Sequence, residues 1–93
     1  MRTIERTGAF KRDYKRVRST PRHREIETEL RLVLSLLVVD KPLPHKYRDH
    51  PLTGEWQDHR DCHVKPDLVL IYRKPDTNTL QLVRLGSHSE LNL

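Results

Sequence analysis

The sequence predicts an α+β domain in the order β-α-α-β-β-β, with a helix hairpin packed on one face of a mostly antiparallel four-stranded sheet and a short helical turn at the C-terminus. Three observations carry this. Ile26, Leu30, Val33, Leu34 and Leu37 recur at the spacing of one helix face. The run Leu68-Val69-Leu70-Ile71-Tyr72 is apolar at every position, as suits a central strand covered on both faces. One strand, two helices and then three strands is the order of a sheet with its helices segregated to one side. The 93 residues leave room for a single domain, residues 1–93, with one modest core.

Taken in order, Thr3 to Thr7 reads as a short strand broken by Gly8. Phe10, Tyr14 and Val17 then recur at helical spacing and predict a first helix of about three turns. Its opposite face carries Lys11, Arg12, Lys15, Arg16 and Arg18 as a basic stripe. Ser19-Thr20-Pro21 supplies a stop and a restart, with Thr20 the expected cap of the second helix and Pro21 in its first turn. That helix is predicted from Arg22 to Val39, about 27 Å, and Pro42 and Pro44 end it. The loop from Pro42 to Thr53 is long for so small a chain and holds His45, Lys46, Tyr47, Arg48 and His50. Strands are predicted near Glu55 to Val64, Asp67 to Arg73 and Leu80 to Leu85, with Lys74 to Asn78 as the last hairpin loop. Ser87 and Glu90 have the spacing of a capping box for one terminal turn, which places His88 at its start.

Nine of the 18 Lys and Arg residues lie between Arg2 and Arg24, opposed only by Glu5 and Asp13. This lopsided field favours an anionic partner, and nucleic acid, the ribosome and an acidic protein segment all suit it; a solvated helix face accounts for it as well. No run approaches the roughly 18 apolar residues of a membrane span, and no signal-peptide stretch follows the basic N-terminus. A cytoplasmic protein without a membrane partner is expected. Cys62 is the only cysteine, which excludes an internal disulfide and a cysteine-rich zinc site and fits a half-buried strand position.

Of the six histidines, four lie between His45 and His63. Metal binding is one use for such a cluster, but the spacings match no standard zinc pattern and there is no His-Glu-x-x-His, so neither metal nor cofactor is expected. The other use is proton transfer on RNA. A base takes the proton of a 2′-hydroxyl, that oxygen attacks phosphorus, and an acid protonates the leaving 5′-oxygen; each such group is worth roughly 10²- to 10⁴-fold. A cation near the phosphate adds electrostatic stabilisation. If Glu55 to Val64 is regular, Trp56, Cys62 and Val64 share the core face while His59, Asp61 and His63 share the open one. Asp58 and Arg60 sit awkwardly on the first face and point to a bulge or an edge. Pro66 marks a turn, with Asp67 starting the next strand.

The segment Tyr47-Arg48-Asp49-His50-Pro51-Leu52, then Gly54 and Trp56, Arg60-Asp61-Cys62-His63-Val64 with Pro66-Asp67, Leu70-Ile71-Tyr72, and Arg84-Leu85-Gly86-Ser87-His88 together resemble the YafQ-like toxins of the RelE/ParE superfamily. The resemblance covers nearly the whole chain and is densest from Tyr47 to Tyr72. It implies a RelE/ParE-like toxin domain of a type II toxin-antitoxin system. The implied activity is that of a ribosome-dependent, metal-independent mRNA interferase, an endoribonuclease that cuts messenger RNA in the A site of the 30S subunit, typically at adenine-rich codons, and so inhibits translation. It implies a catalytic set of His50, His63, Asp67 and His88, with His88 as general acid, His50 or His63 as base, and Asp67 orienting a histidine or contacting RNA. Arg84, Lys46, Arg48 and Arg60 are the expected phosphate-binding residues. His23, His45 and His59 receive no role and are expected at the surface.

Members of this branch commonly have an aromatic residue soon after the last histidine, where this chain has Asn92 following Leu91. A stacking contact worth roughly 1 to 3 kcal/mol per base is then missing, which weakens cleavage or relaxes codon choice. The resemblance also implies a small, acidic, partly disordered antitoxin with a DNA-binding domain, wrapping the basic helix pair, and operator DNA reached only through that complex. Two other readings stand beside the nuclease. One is a ParE-like, non-nucleolytic toxin acting on DNA gyrase through the same fold. The other is an attenuated toxin that only binds its antitoxin. Three imidazoles with Asp67 favour the nuclease, because a gyrase-binding protein needs none of them.

Overall fold

Thr7 makes the first junction of the chain. It follows strand β1 (Thr3–Arg6) and caps helix α1 (Gly8–Arg18), its hydroxyl accepting from the Phe10 amide at 3.0 Å. The computed structural model describes Met1–Leu93 and continues with α2 (Ile26–Leu37), β2 (His50–Pro51), β3 (Arg60–Lys65), β4 (Leu68–Arg73) and β5 (Thr79–Gly86). Single 3₁₀ turns occupy Pro21–His23, His45–Tyr47 and Gly54–Trp56. The strands form one five-stranded sheet in the order β1-β5-β4-β3-β2, antiparallel except for the β1–β5 pair. The α+β class, the helix pair and the central position of β4 agree with the sequence. The strand beyond the expected four is β2, two residues long inside the Pro42-to-Thr53 loop, where Pro51 suits an edge position.

Both faces of the sheet are covered, unequally. Helix residues Phe10, Val17, Ile26, Leu30, Val33 and Leu37 pack on Cys62, Val64, Leu70, Tyr72, Leu82 and Leu85. On the opposite face Val69, Ile71 and Val83 meet Leu52, Trp56 and Leu91, a small second core built by the loop before β3 and the C-terminal turn. Polar side chains occupy the rest of that face.

Several elements differ from expectation for local reasons. Arg22 and His23 are taken up with Pro21 in a 3₁₀ turn, so α2 spans 12 residues, about 18 Å. The Thr20 hydroxyl caps nothing and instead donates to the Arg16 carbonyl at 3.2 Å. Gly54 and Asp58 both adopt left-handed backbone, with φ of 66° and 69°, and these turns delay β3 to Arg60. Alternation therefore does not reach back to Trp56, which lies in the second core and not with Cys62 and Val64. The register slips between His63 and Lys65, and Asp67 belongs to the turn before β4. Cys62 is fully buried, not half-buried, and burial pushes its thiol far above the ordinary range, so it is unreactive. No helix is long and apolar enough to cross a membrane.

β1 covers β5 only as far as Leu82, and α1 satisfies the edge that remains. The Thr7 hydroxyl donates to the Val83 carbonyl at 2.8 Å, Asp13 accepts from the Leu85 amide at 3.0 Å, and Arg16 donates to the Leu85 carbonyl at 3.2 Å. Asp13 is only 3% exposed and also accepts from Arg84 at 2.6 and 3.2 Å. Burial alone would raise its carboxyl, but the hydrogen bonds from Arg84, Leu85 and Arg16 outweigh that and hold it below its ordinary value.

Candidate functional site

Asp61 and His63 alternate with core-facing Cys62 along β3, so both stand on the sheet face away from the helices. β2 places His50 directly opposite Asp61. The turn after β5 brings His88 over His63, with ring centroids 4.8 Å apart. Three of the predicted catalytic histidines are thus gathered around one carboxylate, Asp61, which is 1% exposed and whose Oδ1 lies 3.0 Å from His50 Nδ1.

Geometry assigns the tautomer of His50. Its Nδ1 lies 2.8 Å from the Arg48 carbonyl, a group that can only accept, so Nδ1 carries a proton in either charge state. Arg48 presents that carbonyl from left-handed backbone, φ 49°. Asp61 Oδ1 is near but not aligned for a hydrogen bond and has no other partner. A proton on Nδ1 leaves the Nε2 lone pair of the neutral ring free to accept a proton. Burial pushes the Asp61 carboxyl up, with His50, His63 and His88 pulling it partly back. Burial holds His63 below its ordinary value, reinforced by His88 and opposed by Asp61, which leaves this ring neutral at pH 7.

A cavity of about 640 Å³ opens beside these groups, walled by Leu52 and Trp56 and rimmed by His50, Asp61, His88 and Asn92. Residues 2–93 match the family of the bacterial toxin of type II toxin-antitoxin system, YafQ. The chain belongs to the YafQ family. It is 40% identical over 91 residues to the mRNA interferase toxin YafQ of Escherichia coli K12, covering 97% of this chain and 95% of that protein. The E. coli DinJ–YafQ complex contains a chain that superposes with a TM-score of 0.83 at 39% identity, over 98% of each chain. A metal-bound toxin from Helicobacter pylori superposes with a TM-score of 0.83 at 46% identity, over 98% of this chain and 99% of that one. Of the two branches of the superfamily weighed from sequence, the YafQ branch is the one this toxin matches.

The remaining predicted residues of this YafQ-family toxin are dispersed around the cluster. Asp67 stands in the β3–β4 turn, 3.2 Å from Arg22 and 3.5 Å from His23. It shares with His63, Lys46, Arg22 and His23 the wall of a second cavity of about 410 Å³. Arg84 is engaged by Asp13 through Nε and Nη2. Arg60 is engaged by Asp49 at 3.3 and 3.2 Å, and that carboxylate also accepts from the Tyr72 hydroxyl. Lys46 is exposed over the Tyr47 ring, 5.0 Å from its centroid, and Arg48 is exposed, its charge helping to lower His63. His45 is exposed and His59 half-exposed, edge-on to Trp56 at 5.3 Å. His23, expected at the surface, is buried at 8% exposure because the 3₁₀ turn folds it inward.

Two residues at the centre of these networks were given no catalytic or binding role by sequence reasoning. Asp61 had a signal, since strand parity places it on the face of His63. Asp13 had none, because one acid within a basic helix reads as part of a solvated face.

Proposed function

We propose that this toxin is an endoribonuclease that cuts messenger RNA in the ribosomal A site by 2′-hydroxyl attack. The observation that carries the reading is the convergence of His50, His63 and His88 around the buried Asp61. His50 Nε2 takes the 2′-hydroxyl proton, the O2′–P bond forms as the P–O5′ bond breaks, and His88 gives a proton to the departing O5′. The products are a 2′,3′-cyclic phosphate and a 5′-hydroxyl. Neutral His63 donates a hydrogen bond to the phosphate, and Lys46 and Arg48 supply positive charge around it. Asp67, with Arg22 and His23, borders the RNA on the far side of His63. Arg60 and Arg84 chiefly brace the backbone of the site through Asp49 and Asp13, leaving their remaining N–H groups for phosphate.

Although the histidines gather near Asp61, no three His, Cys, Asp or Glu side chains are placed so as to hold a metal ion together, and no step is assigned to a metal. The metal-bound H. pylori relative makes chelation a necessary arm of the test. The DinJ complex of the E. coli relative supports a cognate antitoxin, here an acidic, partly disordered chain drawn to the basic α1 stripe, with operator DNA bound only through it. The ribosome and its messenger RNA in the cytoplasm are the remaining partners.

The reading is tested by translating a defined messenger RNA in a purified system, adding the protein after chelator pretreatment, and mapping new 5′ ends by primer extension beside naked RNA. Cuts confined to A-site codons are expected. Growth arrest with neither substrate cut would overturn the nuclease.

A further inference from the structure

Arg16 belongs to the basic stripe of α1, yet all three nitrogens of its guanidinium face partners within the protein. Nη1 lies 2.9 Å from Asp13 Oδ1, Nη2 donates to the Leu85 carbonyl at 3.2 Å, and Nε stands 3.4 Å from Glu90 Oε2. One planar fork joins a buried acid of the helix, the end of β5 and the turn that carries His88. Gly86 at the junction is tightly enclosed by the same two side chains, since a Cβ there would stand 3.1 Å from Glu90 Oε1 and 3.3 Å from Arg16 Nη2 and would require them to shift by a few tenths of an ångström. Glu90 closes the turn from the other side, accepting from the Ser87 amide at 2.8 Å while its own amide donates to Ser87 Oγ at 3.1 Å.

His88 lies beyond the last strand, so the sheet does not fix it. Its place over His63 depends on the turn, which is anchored by Leu91 in the second core and by Glu90. We infer that Arg16 and Glu90 are positioning residues for His88, the fork from α1 holding the Ser87-to-Leu91 turn at the height that brings His88 against His63. The kinetic part of this inference rests on the nuclease reading. The two side chains are 45% and 49% exposed, so their ion pair adds little to stability. A shift of about 1 Å in a proton donor, by contrast, costs up to about 100-fold in rate. Stability and turnover therefore separate.

Glu90→Gln keeps the capping box, in which glutamine serves as well as glutamate, and removes the charge that faces Arg16. Arg16→Gln removes the fork. The singles and the double variant are compared by single-turnover cleavage on programmed ribosomes, by melting, and by NMR of the His88 and His63 rings. Glu90→Gln is expected to lower kcat about 10-fold with KM unchanged and Tm within about 2 °C, and to shift the His88 ring resonances. The double variant is expected to be no slower than Arg16→Gln, as two residues acting through one contact require. Wild-type kcat with unmoved His88 resonances would overturn the assignment, as would a melting loss that accounts for the rate loss. If the wild-type protein cuts nothing, the nuclease reading fails alone, and the His88 resonances still decide whether Arg16 and Glu90 hold that turn.

Discussion

His50 faces Asp61 across the β2–β3 pair, its Nδ1 3.0 Å from a carboxylate oxygen sealed from solvent. Under the proposed mechanism the pairing serves the reaction at the expense of the fold. A charge on Asp61 is disfavoured there, since burial raises its carboxyl above the ordinary 3.8.

Asp61→Asn is therefore expected to slow cleavage at least about 100-fold and yet melt higher than the wild type. A raised carboxyl gives stability that is complete below pH 3.8 and is lost as pH rises through the folded value, so the ionised form is a cost at neutrality. Relief of about 1 kcal/mol corresponds to a gain of about 4 to 8 °C at this chain length. Calorimetry at pH 7 checks it, and a lower Tm in the variant would show that Asp61 is a net structural asset.

His63 is expected to titrate below 6.5, its ordinary value, in an NMR pH series. His88→Ala removes a group that lowers it and should move the midpoint up, while Asp61→Asn removes one that raises it and should move the midpoint down. The depressed value also ties stability to pH: the His63 contribution is complete above pH 6.5 and is lost as pH falls through its folded pKa. Midpoints that stay fixed in both variants would mean the three groups do not share one site.

Asp13→Ala strips Arg84, Arg16 and the Leu85 amide of their common acceptor. A loss of about 2 kcal/mol is expected in urea unfolding at pH 7. Because its carboxyl is held low, the Asp13 contribution is present above pH 3.8 and disappears as pH falls below that, so the gap between variant and wild type should narrow in acid. An equal gap at pH 7 and in strong acid would assign the loss to packing instead.

Asn92 rims the cavity of about 640 Å³, at the place where the resemblance led to an aromatic ring being expected. Asn92→Phe is expected to raise kcat/KM on programmed ribosomes about 10-fold through base stacking. A small melting loss accompanies it, because position 92 has φ 58°, which asparagine tolerates better than phenylalanine. No gain in cleavage would mean the RNA does not pass this rim.

Much of the fold was legible because its signals are periodic. Ile26 to Leu37 repeat at helical spacing and Leu68 to Tyr72 admit no solvent face, so α2 and β4 follow from pattern alone. The signals that failed are those that break a period: β2 is too short to have one, and left-handed backbone at Gly54 and Asp58 cut off the alternation that would have oriented Trp56. In the site, the histidines were legible through the resemblance. Their organising acid was obscured because strand parity supplies a face but not depth, and only the pairing of β2 with β3 sinks Asp61 beneath His50. In the tie from Asp13 through Arg16 to Glu90, the first pair is one helical turn apart, but the step from Arg16 to Glu90 is too distant in sequence for any local pattern to connect.

The chemistry assigned to His50 and His88 is tested most directly by the ends the cut leaves behind. Messenger RNA cleaved on a programmed ribosome is recovered and its termini identified, for the wild type after chelator pretreatment and for His88→Ala. The predicted result is a 2′,3′-cyclic phosphate upstream and a 5′-hydroxyl downstream, at an undiminished rate after chelation and at least about 100-fold slower in the variant. A 3′-hydroxyl with a 5′-phosphate, or His88→Ala cutting at the wild-type rate, would contradict it.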